Sequence, residues 1–190
     1  PEKFVGIAPR FDLTTAENGG QIVMGGGSAT NTSIYLIVWG ENTCHGIYPK
    51  GSKGGLTMED KGQVTLEDAA GGKYEGYRTH YKWDLGLTVR DWRYVVRIAN
   101  INTGNLISGS SAADLTKLMI AAEELIPNLG AGRAAFYCNR LVRTYLRNQI
   151  LAKSNVNLSF ENVGGKRITA FDGIPVRRCD QILSTEATIV

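Results

Sequence analysis

The sequence predicts an α+β fold, and three patterns along the chain support this prediction. From residue 1 to about 110, short apolar segments typical of strands alternate with glycine-rich loops. From residue 111 to 153, apolar residues recur at spacings of three and four, which is typical of amphipathic helices. Residues 167 to 179 then have the pattern of a β-hairpin. The chain therefore divides into a β-rich part, 1–110, and a part with two helices and a hairpin, 111–190.

Three stretches of the β-rich part predict individual strands. Ser33 to Trp39 is a continuous apolar run rich in β-branched and aromatic residues, which predicts a strand buried on both faces. Arg78 to Asp84 and Asp91 to Asn100 alternate between polar and apolar residues, which predicts half-buried strands. These two strands could pair through a turn near Gly86. The Gly-, Pro- and Lys-containing stretch that follows Trp39 predicts an exposed, partly ordered loop with short strands.

The helical part contains signals for two helices. Ser110 or Ser111 could cap the first helix, with Asp114 near its positive end. Pro127 and the glycine that follows at position 130 would end it. A second helix is expected from about Arg133 to Lys153.

Arginines form a stripe on this second predicted helix. Arg133, Arg140 and Arg147 are seven residues apart and Arg143 lies beside them, so all four would share one helix face. Guanidinium groups suit carboxylates and phosphates across an interface. The stripe is therefore a candidate subunit contact. A solvated helix face and a surface facing nucleic acid are the two alternatives.

The last predicted element is a hairpin with a two-residue turn. Asp172-Gly173 favours a turn in which both residues have positive φ. Pro175 has no N–H to donate to a neighbouring strand, so it belongs at an edge or at the start of a strand.

Composition limits the classes of protein to which the chain can belong. The net charge is +3 over 190 residues, which permits weak contact with a polyanion but does not indicate a dedicated nucleic-acid binder. Three widely spaced cysteines predict no disulfide framework. No apolar run is long enough for a membrane span. The chain starts at Pro1 without a signal peptide, and we expect it to be the later part of a longer product.

Motifs for catalysis or cofactor binding are weak. The only histidines, His45 and His80, lack metal-ligand spacing, and Cys44 and His45 would point to opposite faces of a strand. The loop from Gly46 to Lys53 does not match the order of a phosphate-binding loop. We therefore expect no catalytic residue, no cofactor and no metal. An enzyme with a Cys44 or His80 centre, and a β-rich module that binds a ligand, remain as alternatives.

Three longer stretches resemble the major capsid proteins of short-tailed bacteriophages of the epsilon-fifteen-like type. They are SIYLIVWGENTCHGIYPKGSKGGL at 33–56, YRTHYKWDLGLTVRDWRYVVRIANI at 77–101 and FDGIPVRRCDQIL at 171–183. The resemblance implies the Hong Kong 97-type capsid fold and a non-enzymatic virion subunit. It also implies that copies of the subunit form pentons and hexons around double-stranded DNA, which they contact non-specifically. The implied partners include a scaffolding or decoration protein, and the implied site of assembly is the cytoplasm of the host bacterium.

The family layout also implies parts that this sequence does not display. Residues 1–110 would be peripheral-domain-like and 111–190 axial-domain-like. The N-terminal arm, the extended loop and the spine helix of the family would lie upstream of Pro1. An encapsulin-like nanocompartment shell has the same fold and is the main alternative.

Overall fold

The computed structural model describes residues 5–108, 113–152, 158–163 and 166–190. Within them the chain forms two compact units. One unit comprises Gly46–Thr88, and the other combines Val5–His45 with Val89–Val190.

Strands dominate both units, and three helices accompany them in the described residues. The strands are β1 (Ile22–Met24), β2 (Asn31–Trp39), β3 (Cys44–Ile47), β4 (Leu56–Glu67), β5 (Lys73–Trp83), β6 (Gly86–Val89), β7 (Val95–Asn102), β8 (Arg133–Cys138), β9 (Leu158–Val163), β10 (Lys166–Phe171) and β11 (Ile174–Arg178). The helices are α1 (Thr103–Ser108), α2 (Leu115–Glu124) and α3 (Arg140–Ala152).

The larger unit is built on a mixed sheet with the strand order β1-β7-β2-β8-β11-β10-β9. The β1–β7 and β8–β11 pairs are parallel, and the other neighbours along this order are antiparallel. β3 lies beside the end of β2 through the Trp39–Cys44 pair, and it also pairs with β6.

The central strand β2 is buried along nearly its whole length, as its apolar run predicts. Ile34, Leu36 and Val38 pack into a core that also contains residues of α2 and α3. The alternate residues face the other side of the sheet, where Tyr35 lies opposite Arg97 of β7. Chain segments from near both ends cover that side, so both faces of β2 exclude water.

Helix α2 confirms the periodicity of the first predicted helix. Leu115, Met119 and Ala122 are fully buried on its inner face. The N-cap is Asp114, whose carboxylate accepts a hydrogen bond from the Lys117 amide at 3.4 Å. Ser110 and Ser111, the predicted caps, lie outside the described residues. Helix α1 had no counterpart among the elements predicted from the sequence.

The prediction of the second helix is wrong for the first third of its length. Arg133–Cys138 is the strand β8, inserted between β2 and β11, and the helix begins only at Arg140. The side chain of Asn139 starts it by accepting a hydrogen bond from the Val142 amide at 2.8 Å. Backbone hydrogen bonds to strands on both sides outweigh the helix propensity of the Arg-Ala-Ala sequence at 133–135.

The predicted pairing of the strands around Gly86 is also wrong. β5 pairs with β4 in a long antiparallel hairpin, whereas β7 pairs with β1 and β2 in the main sheet. The stretch predicted as a loop with short strands contributes β4, a strand of 12 residues. β5 is not half-buried, because ten of its 11 residues are exposed.

The C-terminal hairpin confirms the turn prediction. Asp172 and Gly173 have φ values of 46° and 79°, and they join β10 to β11. Pro175 is the second residue of β11 and precedes Val176, where the pairing with β8 begins. The missing N–H of Pro175 therefore falls at a strand start, before the parallel pairing.

The change of pattern near residue 110 is a change of secondary structure within the larger unit. Strands β2 and β7 from the first part and β8 and β11 from the second lie in the same sheet. The assignment of 1–110 as peripheral-domain-like and of 111–190 as axial-domain-like stays a prediction.

Candidate assembly surfaces

The hairpin of β4 and β5, which we call the ribbon, carries an apolar face near its base. The register places Leu56 opposite Trp83 and Met58 opposite Tyr81, so these four side chains share one face with Tyr77. All five are between 59% and 86% exposed. A two-stranded hairpin is marginally stable by itself in water, and clustered exposed apolar side chains mark surfaces that bind other polypeptides. This apolar ribbon face is the first candidate assembly surface.

The same face becomes acidic toward the turn of the ribbon. Glu75 lies opposite Thr65, which donates a hydrogen bond to its carboxylate at 2.5 Å, and Glu67 lies opposite Lys73. All of these residues are exposed. The Asp68 carboxylate closes the turn by accepting hydrogen bonds from the amides of residues 70 and 72. We call Glu67 and Glu75 the acidic ribbon end.

A second surface lies on α3. Val142 and Leu146 are fully buried, whereas Arg140 and Arg147 are exposed and Arg143 is half-buried. At 3.6 residues per turn, Arg143 and Arg147 lie within about 60° of Arg140 around the helix axis. Arg140 and Arg147 face solvent and Arg143 lies partly buried beside them, and we call these three residues the α3 arginine face.

Arg133 does not belong to this face. It lies at the start of β8, where it pairs with Trp39 of β2, and its side chain is exposed. The spacing of seven residues from Arg140 has meaning only on a continuous helix, and the helix does not extend back to Arg133. An asparagine at position 139, a preferred N-cap residue, was the signal in the sequence that could have located the helix start.

The residues of the proposed enzyme centre are not arranged for catalysis. Cys44 is fully buried, and burial raises the pKa of its thiol to about 11, which disfavours the nucleophilic thiolate. His80 is an exposed residue of β5, in the other compact unit. In the described part of the chain, no three His, Cys, Asp or Glu side chains are placed to hold a metal ion.

A cavity beside the first turn of α3 offers no catalytic pair either. Its lining includes Arg140, Tyr145 and Asp180. Hydrogen bonds from Arg178 hold the pKa of the Asp180 carboxyl below its usual range, so this group is ionised at neutral pH. A carboxylate that is already bound by a guanidinium is poorly suited to donate or accept a proton.

The exposed apolar and charged faces described above are of a kind suited to binding other polypeptides. The helices that the structure describes are too short or too polar to cross a membrane. The family model of the major capsid protein GP7 matches residues 1–190. The chain therefore belongs to the GP7 family of major capsid proteins.

A solved structure supports the same assignment. The near-atomic cryo-EM structure of bacteriophage Epsilon15 contains a chain that is 35% identical, with a TM-score of 0.58. The match covers 98% of the present chain and 56% of the Epsilon15 chain, so this chain spans little more than half the length of that relative. No curated protein matches the sequence.

The family and this similar structure confirm the Hong Kong 97-type α+β fold and the structural, non-enzymatic class of the protein. They favour a capsid subunit of a phage virion over the enzyme, ligand-binding and nanocompartment alternatives.

Proposed function

We propose that the whole protein assembles into pentons and hexons of an icosahedral phage shell that encloses double-stranded DNA. Assembly takes place in the cytoplasm of the host bacterium. Membership of a capsid protein family supports this proposal. A scaffolding or decoration protein is a further proposed partner. The proposed contact with packaged DNA is non-specific, and the net charge of only +3 permits it to be weak.

The observation that carries the proposal is the apolar ribbon face. Tyr77, Tyr81 and Trp83 leave most of their surface in water, although aromatic side chains of this size gain roughly 2 to 3 kcal/mol each when they are buried. A covering polypeptide would gain this free energy, and it would also stabilise a ribbon that is marginal by itself. In a shell of identical subunits, a neighbouring copy can cover this face of each subunit.

The second contact that we propose is the α3 arginine face. Arg140, Arg143 and Arg147 remain candidates for subunit contact because they share one side of the helix, on which Arg140 and Arg147 are exposed. Arg133 is a separate exposed residue of the sheet, and any contact it makes is independent of the helix.

Electron microscopy of the full-length product expressed alone tests the proposal. We expect closed shells from the unsubstituted protein. Tyr81→Ser combined with Trp83→Ser should reduce the fraction of subunits in closed shells. Tyr74→Ser is the matched control, because Tyr74 is 54% exposed on the opposite face of the ribbon. Circular dichroism shows whether each variant keeps its fold.

Two results would contradict the proposal. One is an unsubstituted full-length protein that stays dispersed under all conditions in which related capsid subunits assemble. The other is an equal loss of shells in the Tyr74 control and in the Tyr81 and Trp83 variant, since the apolar ribbon face would then have no special role.

A further inference from the structure

We propose that the apolar ribbon face of one copy packs against the same face of a second copy, with the two ribbons running in opposite directions about a two-fold axis. The inference rests on the proposed function and deepens it, because it names the surface of the neighbouring copy that covers this face. The axis crosses the strands near Met58 and Tyr81, so each of these residues faces its own counterpart.

The first argument is the difference between the two faces of the ribbon at its base. Leu56, Met58, Tyr81 and Trp83 share one face, and the residues between them share the other, namely Thr57, Glu59, His80 and Lys82. Such alternation is typical of a sheet that has protein on one face and water on the other. All eight residues are nevertheless exposed. The apolar face therefore lacks, among the described residues, the cover that its sequence pattern indicates.

The second argument is the number of strands in the ribbon. β4 and β5 form a sheet of two strands only. Two strands are marginally stable in water, whereas three or more strands with a shared apolar face form a stable sheet. Two ribbons that pack face to face make a two-layer structure of four strands, as in a β-sandwich. A second ribbon also has the same length and the same spacing of side chains, so it matches the first along the whole apolar face.

The third argument is the area that the contact would bury. Tyr77, Tyr81 and Trp83 are 86%, 60% and 59% exposed, and Leu56 and Met58 add to their surface. Since a large aromatic side chain buries roughly 150–250 Å² when it is fully covered, the face offers on the order of 500 Å². Two copies together would bury about 1,000 Å², which is near the lower limit for a specific interface. The contact is therefore large enough for two copies to associate and small enough for the association to be reversible.

The distribution of charge along the ribbon decides between the two possible directions. Residues 62–77, which include the acidic ribbon end, contain three Asp and Glu and one Lys, whereas residues 46–57 contain two Lys and no Asp or Glu. The acidic ribbon end and these two lysines, Lys50 and Lys53, form no salt bridge within the described part of the chain. Ribbons in the same direction would bring the two acidic ends together. In opposite directions, each acidic end lies toward the lysines that precede β4 in the partner, and charges of opposite sign select this register.

A surface that binds its own copy forms a closed contact. Two copies satisfy such an isologous contact completely, and the residues near its axis meet themselves. Within a shell, the pair of ribbons would join two subunits across a local two-fold axis. The competing outcome of the test is cover by a different surface, belonging either to another copy or to the rest of the full-length chain.

Cross-linking of single-cysteine variants tests the inference in the full-length protein. One variant carries Met58→Cys, near the axis, and the matched control carries His80→Cys, which is exposed on the opposite face. Both also carry Cys179→Ser, because Cys44 and Cys138 are buried and only Cys179 is partly exposed among the described cysteines. Cys179→Ser alone gives the background. A short bismaleimide joins thiols that lie close together, and denaturing gel electrophoresis measures the covalent dimers.

We expect about tenfold more covalent dimer from Met58→Cys than from His80→Cys at equal concentration, because only the first residue faces its own counterpart. Adding Trp83→Ser to the Met58→Cys variant should remove most of this excess, whereas adding Tyr74→Ser should not, because Tyr74 lies on the opposite face. Equal yields from Met58→Cys and His80→Cys would overturn the inference and would assign the apolar ribbon face to a different covering surface.

A mixture of two variants tests the direction of the ribbons. Leu56 lies two residues from Met58 toward the base, and Thr79 lies two residues from Tyr81 toward the turn. With ribbons in opposite directions, Leu56 of one copy lies near Thr79 of the other. A mixture of Leu56→Cys and Thr79→Cys should therefore give more dimer than either variant alone. A yield from Leu56→Cys alone that exceeds the yield from the mixture would indicate ribbons in the same direction and would contradict the proposed arrangement.

The same measurements separate this inference from the proposed function. Closed shells without an excess of dimer from Met58→Cys would leave the proposed function in place and overturn the inference. If the unsubstituted protein forms no shells, the proposed function fails. Cross-linking of the dispersed subunits then decides the inference, which stands if Met58→Cys gives the excess of dimer and falls if it does not.

Discussion

The guanidinium of Arg97 lies 2.7 Å from the carboxylate of Glu186, and the two side chains are only 6% and 13% exposed. Arg97 lies on β7, the second strand of the main sheet, and it also donates hydrogen bonds to the carbonyls of Ala8 and Phe11 and to the hydroxyl of Ser33. One buried cation therefore joins a segment from near the start of the chain, strands β2 and β7, and a segment from near its end.

Hydrogen bonds along the C-terminal segment surround this ion pair. Asn100 exchanges two hydrogen bonds with the backbone of Ile189, at 2.8 and 2.9 Å. The hydroxyl of Thr32 donates to the carbonyl of Leu183 at 2.8 Å. The segment therefore covers the face of the sheet opposite the helices, and Arg97 and Glu186 form its electrostatic centre.

Removing one partner of this pair should destabilise the protein strongly. Glu186→Gln leaves the Arg97 guanidinium buried without a counter-charge, and we expect a loss of about 3 kcal/mol in the free energy of unfolding. Urea denaturation measures this loss. Asp180→Asn is the control, because the Arg178–Asp180 pair is nearly half exposed and should contribute less than about 1 kcal/mol. Equal losses in the two variants would show that the burial of the pair has no energetic importance.

Stability should fall in alkaline solution as Tyr35 ionises. Burial raises the pKa of Tyr35 to about 12 from 10.0, although the Arg97 guanidinium, 5.6 Å from the ring centre, opposes the rise. The folded protein therefore holds this proton more tightly than the unfolded chain. The contribution of this proton to the free energy of unfolding is complete below pH 10. It is lost as the pH rises from 10 to 12, at a rate of up to about 1.4 kcal/mol per pH unit.

Tyr35→Phe isolates this effect. The Tyr35 hydroxyl is buried without a hydrogen-bond partner among the described residues, so its removal should stabilise the protein at pH 7 by about 1 kcal/mol. Urea denaturation between pH 9 and 12 should show a shallower loss for the variant. Parallel pH dependences for the two proteins would contradict the assigned shift.

Thiol reactivity should separate the three cysteines. Cys44 and Cys138 are fully buried, and burial raises their pKa values to about 11 and about 12. Only Cys179 is partly exposed. In iodoacetamide at pH 8, mass spectrometry should find one labelled site in the folded protein and three in urea. Rapid labelling of Cys44 in the folded protein would instead support the alternative of a reactive centre there.

A side chain at the second position of the C-terminal hairpin turn should destabilise the protein. Gly173 has a φ of 79°, so Gly173→Ala should cost about 1 to 2 kcal/mol through the left-handed backbone conformation alone. An added Cβ would meet no atom within 4 Å there or at Gly20, which lacks a positive φ. Gly20→Ala is therefore the control for this conformational effect, and thermal unfolding compares the two. Equal unfolding temperatures would contradict the prediction.

Local patterns predicted several elements because their physical causes are local. The apolar run of β2 predicted a strand covered on both faces, and the recurrence of Leu115, Met119 and Ala122 predicted α2. Asp172-Gly173 predicted its turn because few other pairs adopt positive φ at both positions. Each of these signals lies within about a dozen residues of the chain.

The ribbon and β8 could not be predicted in this way. The exposed aromatic residues of β5 have the alternation of a half-buried strand, and only the folded chain shows that Tyr81 and Trp83 have no cover among the described residues. The spacing of Arg133 fits a helical stripe. It lies on a strand because β2 and β11 form hydrogen bonds with both sides of β8. The α3 arginine face was therefore predicted in part, and the acidic ribbon end was missed.

By itself, the sequence determined the α+β class, the elements with strong local signals and, through three long stretches, the resemblance to a capsid family. The tertiary structure decided which strands pair, where α3 begins and which face of the sheet the Arg97–Glu186 pair closes. The physical reason is the separation along the chain of the residues that interact. Backbone conformation and apolar periodicity depend on neighbours along the chain, whereas hydrogen bonds between strands and buried ion pairs join residues that are far apart in sequence. Arg97 and Glu186 are separated by 89 positions, and the sequence around each residue does not predict its pairing with the other.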